Sequence, residues 1–168
     1  MKPAPRRSIF ERTMKRSIRI VAASLLVALF AASCTTVPVS QREKRVEVLL
    51  EELNTGDVER LMELSALPFL LDGEIIVLER DVRTMWTNLR EVGFSFQAAT
   101  VQDLGAVTAD TYRQFADTMD VRVWFERHAA EDAGLARVGT SHGTFLIVTG
   151  DREGRTPKIF GFTGPQEG

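Results

Sequence analysis

The sequence predicts an α+β domain in which a curved antiparallel sheet packs on three N-terminal helices. Three observations carry this expectation. Early apolar residues recur at helical spacing, as in Val46, Leu49, Leu50 and Leu53. Later ones alternate with polar residues, as in strands buried on one face. Between the two regimes, Asp72-Gly73 joins two apolar runs and reads as a hairpin turn.

The chain begins with a leader. Lys2, Arg6, Arg7, Arg12, Lys15, Arg16 and Arg19 make its start basic, and the run Ile20 to Ala32 carries no charge over thirteen residues. A bilayer-spanning helix needs roughly 20. A basic flank, a short apolar core and small residues after it form a signal peptide. The lone cysteine, Cys34, follows Ala31-Ala32-Ser33. This segment resembles the lipobox of bacterial lipoproteins, with Ala31 where that family usually has Leu. The resemblance implies a diacylglyceryl group on the Cys34 thiol, cleavage before the cysteine, and usually acylation (typically palmitate) of the new amino group. Each buried methylene contributes about 0.8 kcal/mol, so several acyl chains anchor firmly where one holds weakly. Ordinary secretory cleavage that leaves a free thiol is the alternative.

Met14 opens a compact leader of its own, so the true start is either Met1 or Met14. A twin-arginine export signal at Arg6-Arg7 is a rival, but the following "SIFERT" matches that motif poorly. Thr35 follows the cysteine. In the sorting pattern of Gram-negative lipoproteins, Asp at that place favours the inner membrane, so Thr35 implies the outer membrane, facing the periplasm. The expected organisation is a signal peptide over residues 1–33, a polar tether over 34–41 and one domain over 42–168.

The whole-chain charge of −2 conceals an asymmetry. Residues 1–33 hold seven Lys+Arg and one acidic residue, leaving 14 Lys+Arg against 22 Asp+Glu beyond them, a net of −8. An acidic domain without a Lys/Arg cluster argues against nucleic-acid binding.

Within the domain, the stripe from Val46 to Leu53 predicts a first helix, stopped at "NTG". Asp57 caps a second, carrying Val58, Leu61 and Met62 and ending before Pro68. "FLL-DG-EIIVL" is the hairpin. Asp81 is expected to cap a third helix with the stripe Val82, Met85, Trp86 and Leu89, closed by Gly93. Phe94, Phe96 and Ala98 then alternate as in a strand. "TADTYRQFAD" reads as a short helix or an excursion, and Val121, Val123 and Phe125 as a strand. "EDAG" is a turn, followed by one long strand from Ala136 to Thr149 and a last strand around Ile159 to Phe162.

This order, and the segment "ALPFLLDGEIIVLERDVRTMWTNL", resemble the nuclear transport factor 2-like superfamily, which includes ketosteroid isomerase and polyketide cyclases. The similarity covers about residues 42–163. It implies a cone in which a bent sheet wraps the helices and leaves a pocket at the wide end.

In enzymes of that superfamily an acidic residue near the early strand acts as a general base, which the resemblance places at Asp72. Read from the residues, Asp before Gly simply makes the turn. His142, on a strand face, is a candidate proton carrier or a hydrogen-bonded polar residue. Trp124 and His128 are candidate ligand-binding residues: Trp124 stacks on a charged neighbour, lines the pocket mouth or meets a partner. Glycines at 139 and 143 suit a bent strand.

One cysteine and two histidines argue against zinc or haem. The chain has no Walker loop, GxGxxG or Gly-x-Ser-x-Gly elbow. The single tyrosine, Tyr112, is not in the first helix, where ketosteroid isomerase places its oxyanion donor. The expectation is therefore a cofactor-free, lipid-anchored binding or scaffolding lipoprotein, taking a small apolar ligand or an envelope protein. The alternative is an isomerase- or dehydratase-type pocket enzyme using Asp72 and His142 as base and acid. A homodimer through the open sheet face is a further expectation.

Overall fold

The computed structural model describes residues 39–129, 133–150 and 156–166, which form α helices packed on a mixed six-stranded sheet. The leader, Cys34 and residues 34–38 of the expected tether lie outside the described residues.

Helix α1 spans Val39–Thr55 and so takes in residues 39–41, assigned above to the tether. Its stripe Val46, Leu49, Leu50 and Leu53 is fully buried, as the spacing predicts. Its last carbonyls are satisfied from a distance. The Arg90 guanidinium donates to the carbonyls of Leu53 (2.8 Å), Asn54 (2.9 Å) and Gly56 (2.6 Å), a side-chain cap that adds to the Gly56 N–H bond to the Glu52 carbonyl (2.8 Å). Helix α2, Val58–Leu64, starts as expected at Asp57, whose carboxylate accepts from the Arg60 N–H at 2.8 Å.

Strands β1 (Ser65–Leu71) and β2 (Glu74–Ile76) pair antiparallel around Asp72-Gly73. Both turn residues have positive φ, 47° and 85°, as a type I′ turn requires. Helix α3, Glu79–Glu91, buries Val82, Met85 and Trp86. The expected cap at Asp81 is corrected: Leu78 holds the N-cap position without a side-chain bond. Asp81 falls in the first turn beside Glu79, where its charge still complements the helix dipole. At the other end, Gly93 (φ 73°) donates to Arg90 and Phe94 to Leu89, a Schellman closure.

The strand expected from Phe94 is absent. β3 is Thr100–Ala106. Phe96 bonds through its backbone to the Asn54 side chain, and Ala98 has φ 53°, which leaves the extended region.

Two further expectations are overturned. Val121 to Phe125 is not a strand but part of helix α4, Met119–His128. Thr118 caps it, Asp120 lies in its first turn, and Arg127 and His128 in its last. Val121, Trp124 and Phe125 fall on one helical face and are buried, so the segment satisfies both periods and packing selects the helix. The long strand from Ala136 is two strands, β4 (Ala133–Thr140) and β5 (Gly143–Gly150), folded at Ser141-His142. Val138 therefore pairs with Phe145, and Ala136 with Ile147. The hairpin puts these on one face and Leu146 and Val148 on the other, a grouping that a continuous strand reverses.

With β6 (Lys158–Gln166), the sheet order is β2-β1-β6-β5-β4-β3. The sheet is mixed rather than antiparallel, because β6 returns beside β1 in the parallel sense. Its two faces carry separate cores. α1 to α3 cover one, with Phe69, Phe145, Ile147 and Phe162. The 3₁₀ turn Thr111–Gln114 and α4 pack on the other, with Leu70, Leu146 and Val148. The face expected to stand open for a dimer thus carries its own helical layer.

Candidate functional site

Asp72 is exposed at the hairpin tip. Its Oδ1 accepts from the Gly164 N–H at 3.0 Å, and its own N–H donates to the Phe162 carbonyl at 3.1 Å. These bonds tie the hairpin to β6 and make Asp72 a turn residue with a structural partner. His142 is exposed in the β4–β5 turn, not on a strand face, because the chain reverses there. Its N–H donates to the Thr140 hydroxyl (3.1 Å), which donates to the Gly143 carbonyl (2.8 Å). Both side chains stand on solvent-facing turns.

Trp124 is 2% exposed, so it is core. Its Nε1–H donates to the Pro68 carbonyl at 3.0 Å, and Phe125 lies edge-on to it at 5.0 Å. It does not stack on its charged neighbours in the chain: Arg122 and Glu126 pair with each other at 2.9 Å on the exposed side of the helix. His128 is exposed at the end of α4, its ring 6.0 Å from that of Trp124. Cys34 lies outside the described residues.

Aromatic rings occupy the space between the N-terminal helices and the sheet. Phe162 contacts Phe69, Trp86, Phe94 and Phe96 with centroids 5.7 to 6.1 Å away. Phe145 closes on Phe94 and Phe96 at 6.0 and 5.3 Å. Edge-to-face and offset-stacked rings at these distances attract beyond their area burial. The one polar group of the cluster is satisfied: the Trp86 Nε1–H donates to the Ser65 hydroxyl, which donates to the Leu61 carbonyl.

Concave surface lies elsewhere. A cleft of about 140 Å³ opens between the start of α1 and the ends of β3, β4 and β5, lined by Arg42, Arg45, Leu104, Gly134, Thr149 and Pro157 among others. The only signal of the two arginines in the sequence is their i, i+3 spacing, which on a helix places them together. Two surface grooves of about 440 Å³ each lie between the 3₁₀ turn and α4, and between α2, Leu67 and Lys158. Neither Asp72 nor His142 lines any of the three.

The perturbed titrations belong to surface ion pairs. A hydrogen bond from Arg60 holds the Glu52 carboxyl below its usual value, and Glu52 and Glu63 together raise Arg60. Arg113 is raised by its bond to the Tyr112 hydroxyl and by Asp110. Among the described residues no group of His, Cys, Asp and Glu is arranged to hold a metal, and no helix is long and apolar enough to cross a membrane.

No family model matches the chain, and no curated protein is significantly similar to it.

Proposed function

We propose that this chain is an outer-membrane lipoprotein, anchored through Cys34 and facing the periplasm, whose single domain of nuclear transport factor 2-like architecture binds or scaffolds an envelope protein. The leader, with its basic flank, thirteen apolar residues and small residues before Cys34, supports the anchor. The helices before an early hairpin, and a sheet ordered β2-β1-β6-β5-β4-β3, support the architecture.

The packing of Phe162 carries the choice of role. The ring and its four aromatic neighbours pack together in the space between the N-terminal helices and the sheet. Recognition then falls to the outer surface, which favours a protein partner over an enclosed apolar ligand. The isomerase-type alternative draws no support from Asp72, whose carboxylate is exposed and bonded to Gly164.

Two measurements test the proposal. Cys34→Ser removes the acylation site, so the variant leaves the membrane fraction and takes up no labelled palmitate; retention of both sinks the anchor. Mass spectrometry of the native protein tests the role. A stoichiometric apolar small molecule released on denaturation would replace the protein-binding reading with a ligand carrier.

A further inference from the structure

We infer that the outer edge of β2 is a docking strand for an extended apolar polypeptide segment with basic ends. β2 is the last strand of the sheet and pairs on one side only, with β1. Its two-residue turn closes on the pair Leu71–Glu74. Hydrogen bonding alternates from that pair, so Glu74 and Ile76 bond to β1 while Ile75, and Val77 if the register is extended past the strand's end at Ile76, turn their N–H and C=O outward.

Edges of this kind are commonly blunted by charge, proline or a bulge. The opposite edge is blunted: β3 shifts register between Val101 and Asp103 and exposes Gln102 and Asp103. The β2 edge is only three residues long, itself a form of blunting, but its surroundings are apolar. Val77 and Leu78 continue it and are 64% and 47% exposed. Leu67, opposite Leu78 if the β1–β2 register is extended, is 46% exposed. The segment that enters α4 runs alongside: a Cβ on Gly73 would lie 2.7 Å from that of Ala116, just before the helix, and Trp124 within it bonds to Pro68. The start of the helix presents Met119, 67% exposed. Among the described residues, four of the six exposed large apolar side chains thus lie on β1, on the continuation of β2 and on the start of α4. An added strand gains main-chain bonds from Ile75 and Val77 and buries alternate side chains on this patch.

Charge selects the occupant. Glu74, Glu79, Asp81 and Asp120 are exposed around the edge; the nearby arginines are paired, Arg80 with Asp81 at 3.3 Å and Arg83 with Glu79 at 3.7 Å on α3, and Arg122 with Glu126 at 2.9 Å on α4, while Glu74 and Asp120 stand outside these pairs. A segment with Lys or Arg flanking its apolar residues is steered to such a rim, and one with acidic flanks is repelled.

This inference rests on reading the domain as a binding module, and the two fail separately. The test titrates the purified full chain in detergent micelles with the peptide KKVTVTVKK and with EEVTVTVEE, empty micelles serving as blank. The basic peptide is expected to bind saturably, about ten-fold or more tighter than the acidic one. It should slow amide exchange at Ile75 and Val77, and Val77→Asp and Met119→Asp, both exposed positions, should each weaken it several-fold. Equal binding of the two peptides, no binding, or protection that spares β2 overturns the inference. An envelope protein cross-linked equally by the native chain and Val77→Asp also overturns it, while leaving the binding-module reading in place.

Discussion

Asn54 and Phe96 grip each other through two hydrogen bonds. The Asn54 Nδ2 donates to the Phe96 carbonyl at 3.1 Å, and its Oδ1 accepts from the Phe96 N–H at 2.7 Å. The amide thus stands in for a neighbouring strand. It fixes the end of α1 to the loop that carries Phe94 and Phe96 into the aromatic cluster, and it satisfies backbone groups that have no ladder to join. Asn54→Ala leaves both groups of Phe96 without this partner. The expected loss is about 2 kcal/mol in urea unfolding. A change below about 0.5 kcal/mol, the range of an ordinary surface substitution, would mean that water replaces the amide.

Phe162 is the hub of the cluster, so Phe162→Ala opens a cavity in its centre. The expected cost is about 3–5 kcal/mol. Benzene should then bind to the variant and raise its melting temperature, and leave the native protein unaffected. Benzene stabilisation of the native protein would show interior space that the rings do not fill.

Asp72 combines a positive φ of 47° with a bond to Gly164. Asparagine tolerates the same backbone and keeps the acceptor. Asp72→Asn should change stability by less than about 0.5 kcal/mol, whereas Asp72→Val, β-branched at positive φ, should lose about 1–3 kcal/mol. Thermal unfolding of the two variants separates a turn residue from a carboxylate needed for its charge.

The Glu52–Arg60 pair, at 2.8 Å, predicts an acid effect of fixed sign. The folded protein holds the Glu52 carboxyl below its ordinary value of 4.5. Its contribution is therefore complete above that value and is lost as pH falls through the lower folded one. The stability difference between the native protein and Glu52→Gln should be constant near neutrality and shrink below about pH 4.5. Both side chains are partly exposed, so salt should reduce it too. Unfolding curves across this pH range check the sign.

What the sequence determined by itself was the local structure. The stripes of α1 and α3, the Asp57 cap, the Asp72-Gly73 turn and the Gly93 stop each depend on residues within a few positions of one another, and each stands where it was read. The acidic balance beyond residue 33 is likewise a property of the chain alone. What only the tertiary structure decided was every choice between two locally acceptable states. Val121 to Phe125 fits a strand or a helix, and burial of Val121, Trp124 and Phe125 against the second sheet face selects the helix. Ser141-His142 carries no strong turn signal, yet pairing Val138 with Phe145 reverses the chain there and moves His142 out to solvent. Asn54 and Phe96 are 42 residues apart, so no local pattern announces their bond. Asp72 and His142 fall on solvent-facing turns for the same reason: whether a carboxylate or an imidazole faces a pocket depends on which distant strands flank it, and that is settled only when the sheet is assembled.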